Sequence, residues 1–399
     1  MKKLLILAGG SGSEREVSIS SGKRVAEAFC RLGVKTALID PIREIDVLRE
    51  HFFTDFDELK SSSSLFVGDT EFSGNESSAI PAGNTGFCEN ESSAIPAGNT
   101  GFCENKSGAF FADDTGFYEA ESSTLFAADT NFYRNQTRAL ITDSVISLCR
   151  EADAVFICLH GGIGENGRLA ALFECLGIKY FGSPPEGSAD AMDKLRSKRI
   201  FESVGIPTPI YTVYSKNQNK PPMPPRFPCV VKPTGEGSSV GVTLVKTPKE
   251  LNAAVKAALK TSDTVLMEAE IKGREITVGI LDDKPLAVTE IIPKDGFYDY
   301  ESKYTAGKTL EITPAVLPEK LTERAMRLAE RTHRALGLSG FSRVDMMIEN
   351  KTGLIYVLEA NTVPGMTATS LLPLAAEYRG IDFTELCRKM AWELFADAK

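Results

Sequence analysis

Short apolar runs and segments of helical period alternate along most of the chain. Lys3–Ala8 is apolar from Leu4 onward and predicts a buried strand. Ser21–Leu32 places apolar residues at three- and four-residue intervals and predicts a helix. Lys35–Ile39 reads as the next strand, Asp143–Glu151 as a helix, Ala154–Leu159 as a strand and Asn166–Leu176 as a helix. Continuous apolar strands separated by helices predict a parallel sheet covered on both faces. A helix over Asp190–Val204 follows, and then a Pro-rich stretch, Lys220 to Pro228, that excludes regular structure.

From Pro228 the pattern changes. Strands Cys229–Pro233 and Val240–Val245, helix Pro248–Leu259 and strand Thr264–Glu268 predict a small α+β unit. Arg274–Leu281, Pro285–Ile292, Phe341–Glu349 and Leu354–Glu359 read as further strands, covered by helices over Pro318–Leu336, Ser370–Tyr378 and Phe383–Leu394. The pattern divides the chain into three domains: an α/β domain over 1–182, a central domain over 183–268 and a C-terminal α+β domain over 269–399.

One segment breaks the alternation. Residues 60–134 repeat every 15 positions; Asn75 to Glu89 and Asn90 to Glu104 are identical copies of NESSAIPAGNTGFCE. Each copy carries too little apolar surface to bury a core alone. Stacked copies would form a small β-solenoid or meander. The Ser-, Asn-, Gly- and Glu-rich composition favours instead a flexible surface insertion in the first domain.

A length of 399 residues allows several cores. The net charge of −9 argues against a non-specific nucleic-acid or anionic-membrane binder. No run approaches the ~18 apolar residues of a membrane span. The opening MKKLLILAGG imitates a signal peptide, but its apolar part ends at Ala8 before glycines and charges. The eight cysteines form no CxxC pair, and several sit in apolar runs, so buried thiols in a reducing compartment are expected. Three histidines without a Cys/His cluster argue against zinc.

Several clusters carry chemistry. Lys232-Pro-Thr-Gly-Glu-Gly-Ser-Ser-Val-Gly joins two strands, and its glycines and serines suit a triphosphate, although it is not a Walker A motif. Taken alone it also reads as a plain hairpin. Lys194 and Lys198 lie four apart on one helix and can reach one phosphate; such a run is more often a solvated basic face. Arg343 and Asp345 share one strand face, as do Glu359 and Asn361 on the next strand. Two carboxylates and an amide oxygen suit Mg²⁺ holding nucleotide phosphates. A buried Arg343–Asp345 ion pair is the competing reading, and it leaves Glu359 and Asn361 idle. Gly9 to Glu16 and His160-Gly-Gly-Ile-Gly-Glu165 follow strands, where open α/β sheets bind ligands. Tyr298 to Tyr304 is a dense polar-aromatic loop. Together these clusters describe a site between domains where Mg-ATP activates a small substrate.

In this order the motifs resemble one family. GGSGSEREVSISSG (9–22), LHGGIGENG (159–167), MDKLRSK (192–198), VVKPTGEGSSVGV (230–242), GREITVGIL (273–281), FYDYESKY (297–304), RVDMM (343–347) and LEANTVPGMTATS (358–370) are similar to those of D-alanine–D-alanine ligases, of the ATP-grasp superfamily. The resemblance covers essentially the whole chain outside 60–134 and implies a three-domain ATP-grasp fold. It implies ATP-dependent joining of two D-alanines through a D-alanyl phosphate, for peptidoglycan precursors, by a cytoplasmic homodimer.

By the same resemblance, Lys194 and Lys232 hold ATP phosphates, Glu268 lies near the adenine hinge, Glu275 binds the ribose and Lys303 reaches the γ-phosphate. Asp345, Glu359 and Asn361 hold two Mg²⁺ (or Mn²⁺) ions. Glu14 anchors the first amine, and His160 lies near its carboxylate. Arg343 and the Gly365 N–H stabilise the oxyanion; Ser370, with the backbone of Leu371, receives the second carboxylate. Ser238 and Tyr304 link to Glu14 and close the loop over the intermediate, and Tyr304 favours D-alanine over D-lactate as acceptor.

Overall fold

The computed structural model describes residues 2–42, 112–113, 116–117, 141–235, 237, 240–294 and 308–396. Ser238, Lys303 and Tyr304 lie outside these residues, as does the repeat segment apart from its four described positions. Chain contacts divide the molecule into a large unit, residues 1–68 with 144–399, and a small one, residues 69–143.

The N-terminal apolar runs become a parallel sheet. β1 (Lys3–Leu7) leads to α1 (Arg15–Arg31) and β2 (Lys35–Ile39). In the small unit, β3 (Ala112–Asp113) pairs antiparallel with β4 (Gly116–Phe117). The chain continues with α2 (Asp143–Glu151), β5 (Ala154–Ile157), α3 (Gly162–Glu165), α4 (Arg168–Leu176) and β6 (Tyr180–Phe181). The sheet order is β2-β1-β5-β6, and every pairing is parallel. Gly22 brings α1 onto this sheet: a Cβ there would sit 2.6 Å from the Ala8 Cβ and 2.8 Å from Leu38 Cδ1. Phe29 and Phe156 pack across the same interface, with ring centroids 5.8 Å apart.

Next come α5 (Pro185–Met192), α6 (Lys194–Ser203), β7 (Tyr211–Ser215), β8 (Cys229–Pro233), β9 (Thr243–Val245), α7 (Pro248–Ala258) and β10 (Thr264–Ala269). Their strands form an antiparallel sheet of order β7-β10-β8-β9, with α7 packed on its apolar face. The third sheet, of order β13-β12-β11-β14-β15, uses β11 (Gly273–Leu281), β12 (Lys284–Pro293), β13 (Thr309–Ile312), β14 (Phe341–Glu349) and β15 (Ile355–Asn361). α8 (Glu319–Ala335) packs Ala325, Leu328 and Ala329 against Ile276, Val344 and Met346 of this sheet. α9 (Leu371–Tyr378), α10 (Phe383–Met390) and α11 (Trp392–Phe395) close the chain. One core joins the parallel sheet to the end of the third sheet, where Phe156 stacks on Phe341 with centroids 6.2 Å apart.

Local chemistry moves several boundaries. The helix expected over Asp190–Val204 is two helices, because Asp193 is extended and its carboxylate accepts from Leu195 N and Arg196 N, capping α6. Ala391 ends α10, so the helix expected over Phe383–Leu394 is also interrupted. α1 starts at Arg15, ahead of the expected Ser21, because its first turns bury serines, Ser18 and Ser21, where the pattern lacked apolar residues. Among the described residues no helix is long and apolar enough to cross a membrane.

Candidate active site

Two loops at the carboxyl ends of parallel strands meet first. Ser18 Oγ donates to Cys158 O (2.6 Å) and accepts from Gly9 N (2.8 Å), tying the loop after β1 to the end of β5. This brings Glu14, just before α1, to the same cavity as His160. The His160 Nδ1–H donates to Val363 O at 3.0 Å, with Glu165 at 3.9 Å. Burial pushes the imidazole pKa down, but Glu165 and Glu14 outweigh it, so the pKa lies above the usual histidine value. Nε2 of His160 is buried and has no hydrogen-bond partner among the described residues.

A second group forms around Glu268. β8 and β10 run antiparallel, with Lys232 opposite Leu266 and Glu268 opposite Val230. Glu268 Oε1 lies 2.9 Å from Lys232 Nζ and 3.0 Å from Lys198 Nζ, all three side chains being buried. Burial raises the Glu268 pKa, and the two ammonium groups reverse this and carry it below the usual carboxylate value. Lys198 moves the other way: desolvation outweighs Glu268, and its pKa falls to about 8. Lys198 also donates to Thr208 Oγ1 at 2.6 Å and Pro209 O at 3.3 Å. The two lysines of α6 therefore diverge instead of sharing one phosphate: Lys198 points inward, while Lys194 pairs with Glu359 at 3.1 Å.

The third group lies on β14 and β15, where Arg343 stands opposite Asn361 and Asp345 opposite Glu359. Arg343 donates to both Asp345 oxygens (2.9 and 2.8 Å), Asn361 Nδ2 donates to Oδ2 (3.0 Å) and Thr277 Oγ1 to Oδ1 (2.6 Å). The Arg343–Asp345 ion pair is thus formed, and Asn361 joins it. Among the described residues no three His, Cys, Asp or Glu side chains gather as a metal site. Asp345, Glu359 and Asn361 nevertheless fit Mg²⁺ or Mn²⁺ as a donor set. They are adjacent, they offer hard oxygens, and the Asn361 amide nitrogen is engaged by Asp345, which leaves its oxygen as the donor.

Two cavities take up these groups. The larger, of about 530 Å³, is lined by Lys194, Lys232, Glu268, Glu275, Asp345 and Glu359, with apolar walls from Val230, Leu244, Met347 and Leu358. That volume and mixed lining suit a nucleotide-sized ligand. The smaller, polar cavity is lined by Glu14, His160, Arg343, Asn361, Gly365, Ser370 and Leu371. Glu359 and Gly237 line both. The smaller cavity also takes Glu165 and Glu311, two residues without a role in the sequence reading. Glu165 lies inside a motif already singled out; Glu311 carries no local signal. Burial raises the pKa of Glu311, and Arg343 opposes this in part.

The chain matches two family models, described as the D-ala D-ala ligase N-terminus over residues 3–183 and C-terminus over residues 200–391. It is 47% identical over 241 residues to a D-alanine–D-alanine ligase of Geobacter sulfurreducens, covering 60% of this chain and 76% of that one. It is 42% identical over 250 residues to the ligase of Methylacidiphilum infernorum, covering 63% and 81% of the two chains. The crystal structure of the D-alanine–D-alanine ligase from Bacillus anthracis superposes with a TM-score of 0.65 at 25% identity, covering 99% of this chain and 98% of that one. The structure of that ligase complexed with ATP shares the fold, with a TM-score of 0.64 at 24% identity. With both models matched across most of its length, the chain belongs to the D-alanine–D-alanine ligase family.

Proposed function

We propose that the protein joins two D-alanine molecules to D-alanyl-D-alanine at the expense of ATP, supplying peptidoglycan precursors. The observation that carries this reading is the meeting of a nucleotide-sized cavity and a small polar cavity at Glu359, in a chain of this family. The first D-alanine carboxylate attacks the γ-phosphorus of ATP, ADP leaves and D-alanyl phosphate forms. The second amine, having lost a proton, attacks the acyl carbon, and phosphate leaves.

Each group has a task in this sequence. Lys194 and Lys232 neutralise ATP phosphates, Glu268 lies near the adenine, Glu275 binds the ribose, and Lys303 reaches the γ-phosphate. Asp345, Glu359 and Asn361 hold two Mg²⁺ or Mn²⁺ ions, which when bound spread the negative charge of the transferring phosphoryl. Arg343 then turns from Asp345 toward the reacting carbonyl, where it and the Gly365 N–H meet the developing oxyanion. Glu14 holds the first ammonium. His160, whose pKa Glu165 and Glu14 raise against burial and whose Nε2 is unengaged among the described residues, faces the first carboxylate. Ser370 and the Leu371 N–H take the second carboxylate. Ser238 and Tyr304 close over the intermediate and exclude water.

The domain division at 182 and 268 and a homodimeric state belong to the same reading, supported by the family resemblance. A cytoplasmic location is supported by its substrates and its buried free thiols, Cys30, Cys149, Cys158, Cys229 and Cys387. The test is phosphate release from Mg-ATP with D-alanine, L-alanine or D-lactate, with products identified by mass spectrometry. Release that requires D-alanine, with dipeptide formed, is expected. D-alanyl-D-lactate formed from D-alanine with D-lactate, in preference to the dipeptide, would move the acceptor to a hydroxy acid.

A further inference from the structure

The loop between β15 and α9 carries Gly365 and Ser370, yet α1 of the parallel sheet holds it. Arg24 Nη1 donates to Thr367 O at 2.7 Å and to Met366 O at 3.3 Å. Its guanidinium lies 3.7 Å from the centroid of the Phe383 ring, so the group is fixed on its flat side as well. One helical turn earlier, buried Ser21 accepts from Met366 N through Oγ at 3.1 Å. Two successive loop residues are therefore gripped by two side chains of one rigid helix.

The grip passes directly to Ser370. Thr367 N donates to Ser370 Oγ at 2.9 Å, and the Thr367 hydroxyl lies 2.8 Å from the same oxygen. Ser370 N in turn donates to Thr367 O at 3.2 Å, the oxygen that Arg24 holds. The fold is tight enough that a Cβ on Gly365 would meet Ser370 Oγ at 2.7 Å. The path from Arg24 to the Ser370 hydroxyl thus runs through one residue. At its other end the loop is held by His160 through Val363 O. The nucleotide-side groups, Lys232 and Glu268, engage each other and Lys198, away from this path.

We propose that Arg24, seconded by Ser21, is a positioning residue for the acceptor D-alanine: it fixes the loop whose Ser370 receives the second carboxylate. This rests on the ligase reading above. The arrangement places control of the acceptor subsite on a helix of the N-terminal sheet. A guanidinium with two carbonyl acceptors and an aromatic face beneath it holds a loop more rigidly than an ammonium does.

The test is steady-state kinetics of wild type, Arg24→Gln, Arg24→Lys and Ser21→Ala, resolving KM for ATP and for each D-alanine. Hydrogen exchange of the amides of residues 365–372 is read alongside. Arg24→Gln should raise the acceptor KM about tenfold, the loss expected for one charge-assisted hydrogen bond, with ATP and donor KM changed less than about twofold. Arg24→Lys should recover part of the loss. Ser21→Ala should shift the acceptor KM in the same direction by a smaller factor. Amides of the loop should exchange faster in Arg24→Gln while those of β14 stay unchanged. Equal rises in all three KM values, or unchanged kinetics and exchange in a folded variant, would overturn the proposal. Wild-type protein that makes no dipeptide would sink the ligase reading instead. Loop exchange would then decide the role of Arg24, and an unchanged loop would reject it.

Discussion

Asp345 and Glu359 stand opposite each other on β14 and β15, and each carboxylate is held by a different cation. Arg343 forks onto Asp345 at 2.8 and 2.9 Å, and Lys194 reaches Glu359 at 3.1 Å. Two like charges directly across an antiparallel pair repel, and the two cations offset that repulsion. The same two cations serve oxyanion and phosphate in the proposed reaction. Metal entry and release of Arg343 and Lys194 would then be linked: a dication held by Asp345 and Glu359 would take over the neutralising role and free both side chains for substrate.

Glu359→Gln tests this linkage. The amide keeps the shape but loses the charge that pairs with Lys194 and would hold a metal. Dipeptide formation at saturating Mg-ATP should fall about 10²- to 10³-fold, the loss typical of a group that stabilises transferring charge. The Mg²⁺ concentration for half-maximal ADP release should rise. A variant with wild-type turnover and an unchanged Mg²⁺ dependence would remove Glu359 from the metal set.

The buried trio of Lys198, Glu268 and Lys232 gives an ordering of stabilities. Its net charge is positive, and Lys198 has its pKa pulled to about 8 by desolvation. Lys198→Met leaves a neutral Lys232–Glu268 pair and removes a desolvated cation, so it should cost only about 1–2 kcal/mol. Glu268→Gln leaves two buried ammonium groups facing each other and should cost about 3–5 kcal/mol. Urea unfolding at pH 7 reads the order. A larger loss for Lys198→Met would show that its bonds to Thr208 and Pro209 outweigh the charge.

How much of this was legible in the sequence depends on how far apart the partners lie. Apolar runs such as Ala154–Ile157 declared their strands, and two-residue alternation put Arg343 with Asp345 and Glu359 with Asn361. β7 was missed because Tyr211–Ser215 is a short edge strand of mixed polarity, half-exposed along most of its length. The four-residue spacing of Lys194 and Lys198 gave their common helix but not their targets, which lie on β15 and β10. Glu311 and Arg24 were invisible for a related reason. Each is an ordinary charged residue in its local sequence, and Arg24 acquires its acceptor 343 positions away.

The insertion over 60–134 offers a separate test. Lengthening a connection adds only about 0.6 kcal/mol of closure entropy per doubling, so a chain lacking these residues should fold and keep nearly all its ligase activity. A deletion variant that unfolds at the wild-type temperature but makes no dipeptide would give the repeats a functional role.

His160 gives the pH dependence. Glu165 and Glu14 raise its folded pKa above the usual value against the opposing effect of burial. A raised histidine adds stability that is fully present below the unfolded pKa of about 6.5 and is lost as pH climbs through the higher folded value. Glu165→Gln removes the main partner and lowers that folded value. Wild type should therefore exceed Glu165→Gln in stability most at pH 6, and the gap should narrow toward pH 9 as the wild-type ring loses its proton. Urea unfolding of both proteins across this range, with the His160 ring titrated by NMR, checks the slope and its source. A gap that is constant with pH would mean that Glu165 holds His160 by packing alone. The first-carboxylate role of the imidazolium would then need another cation.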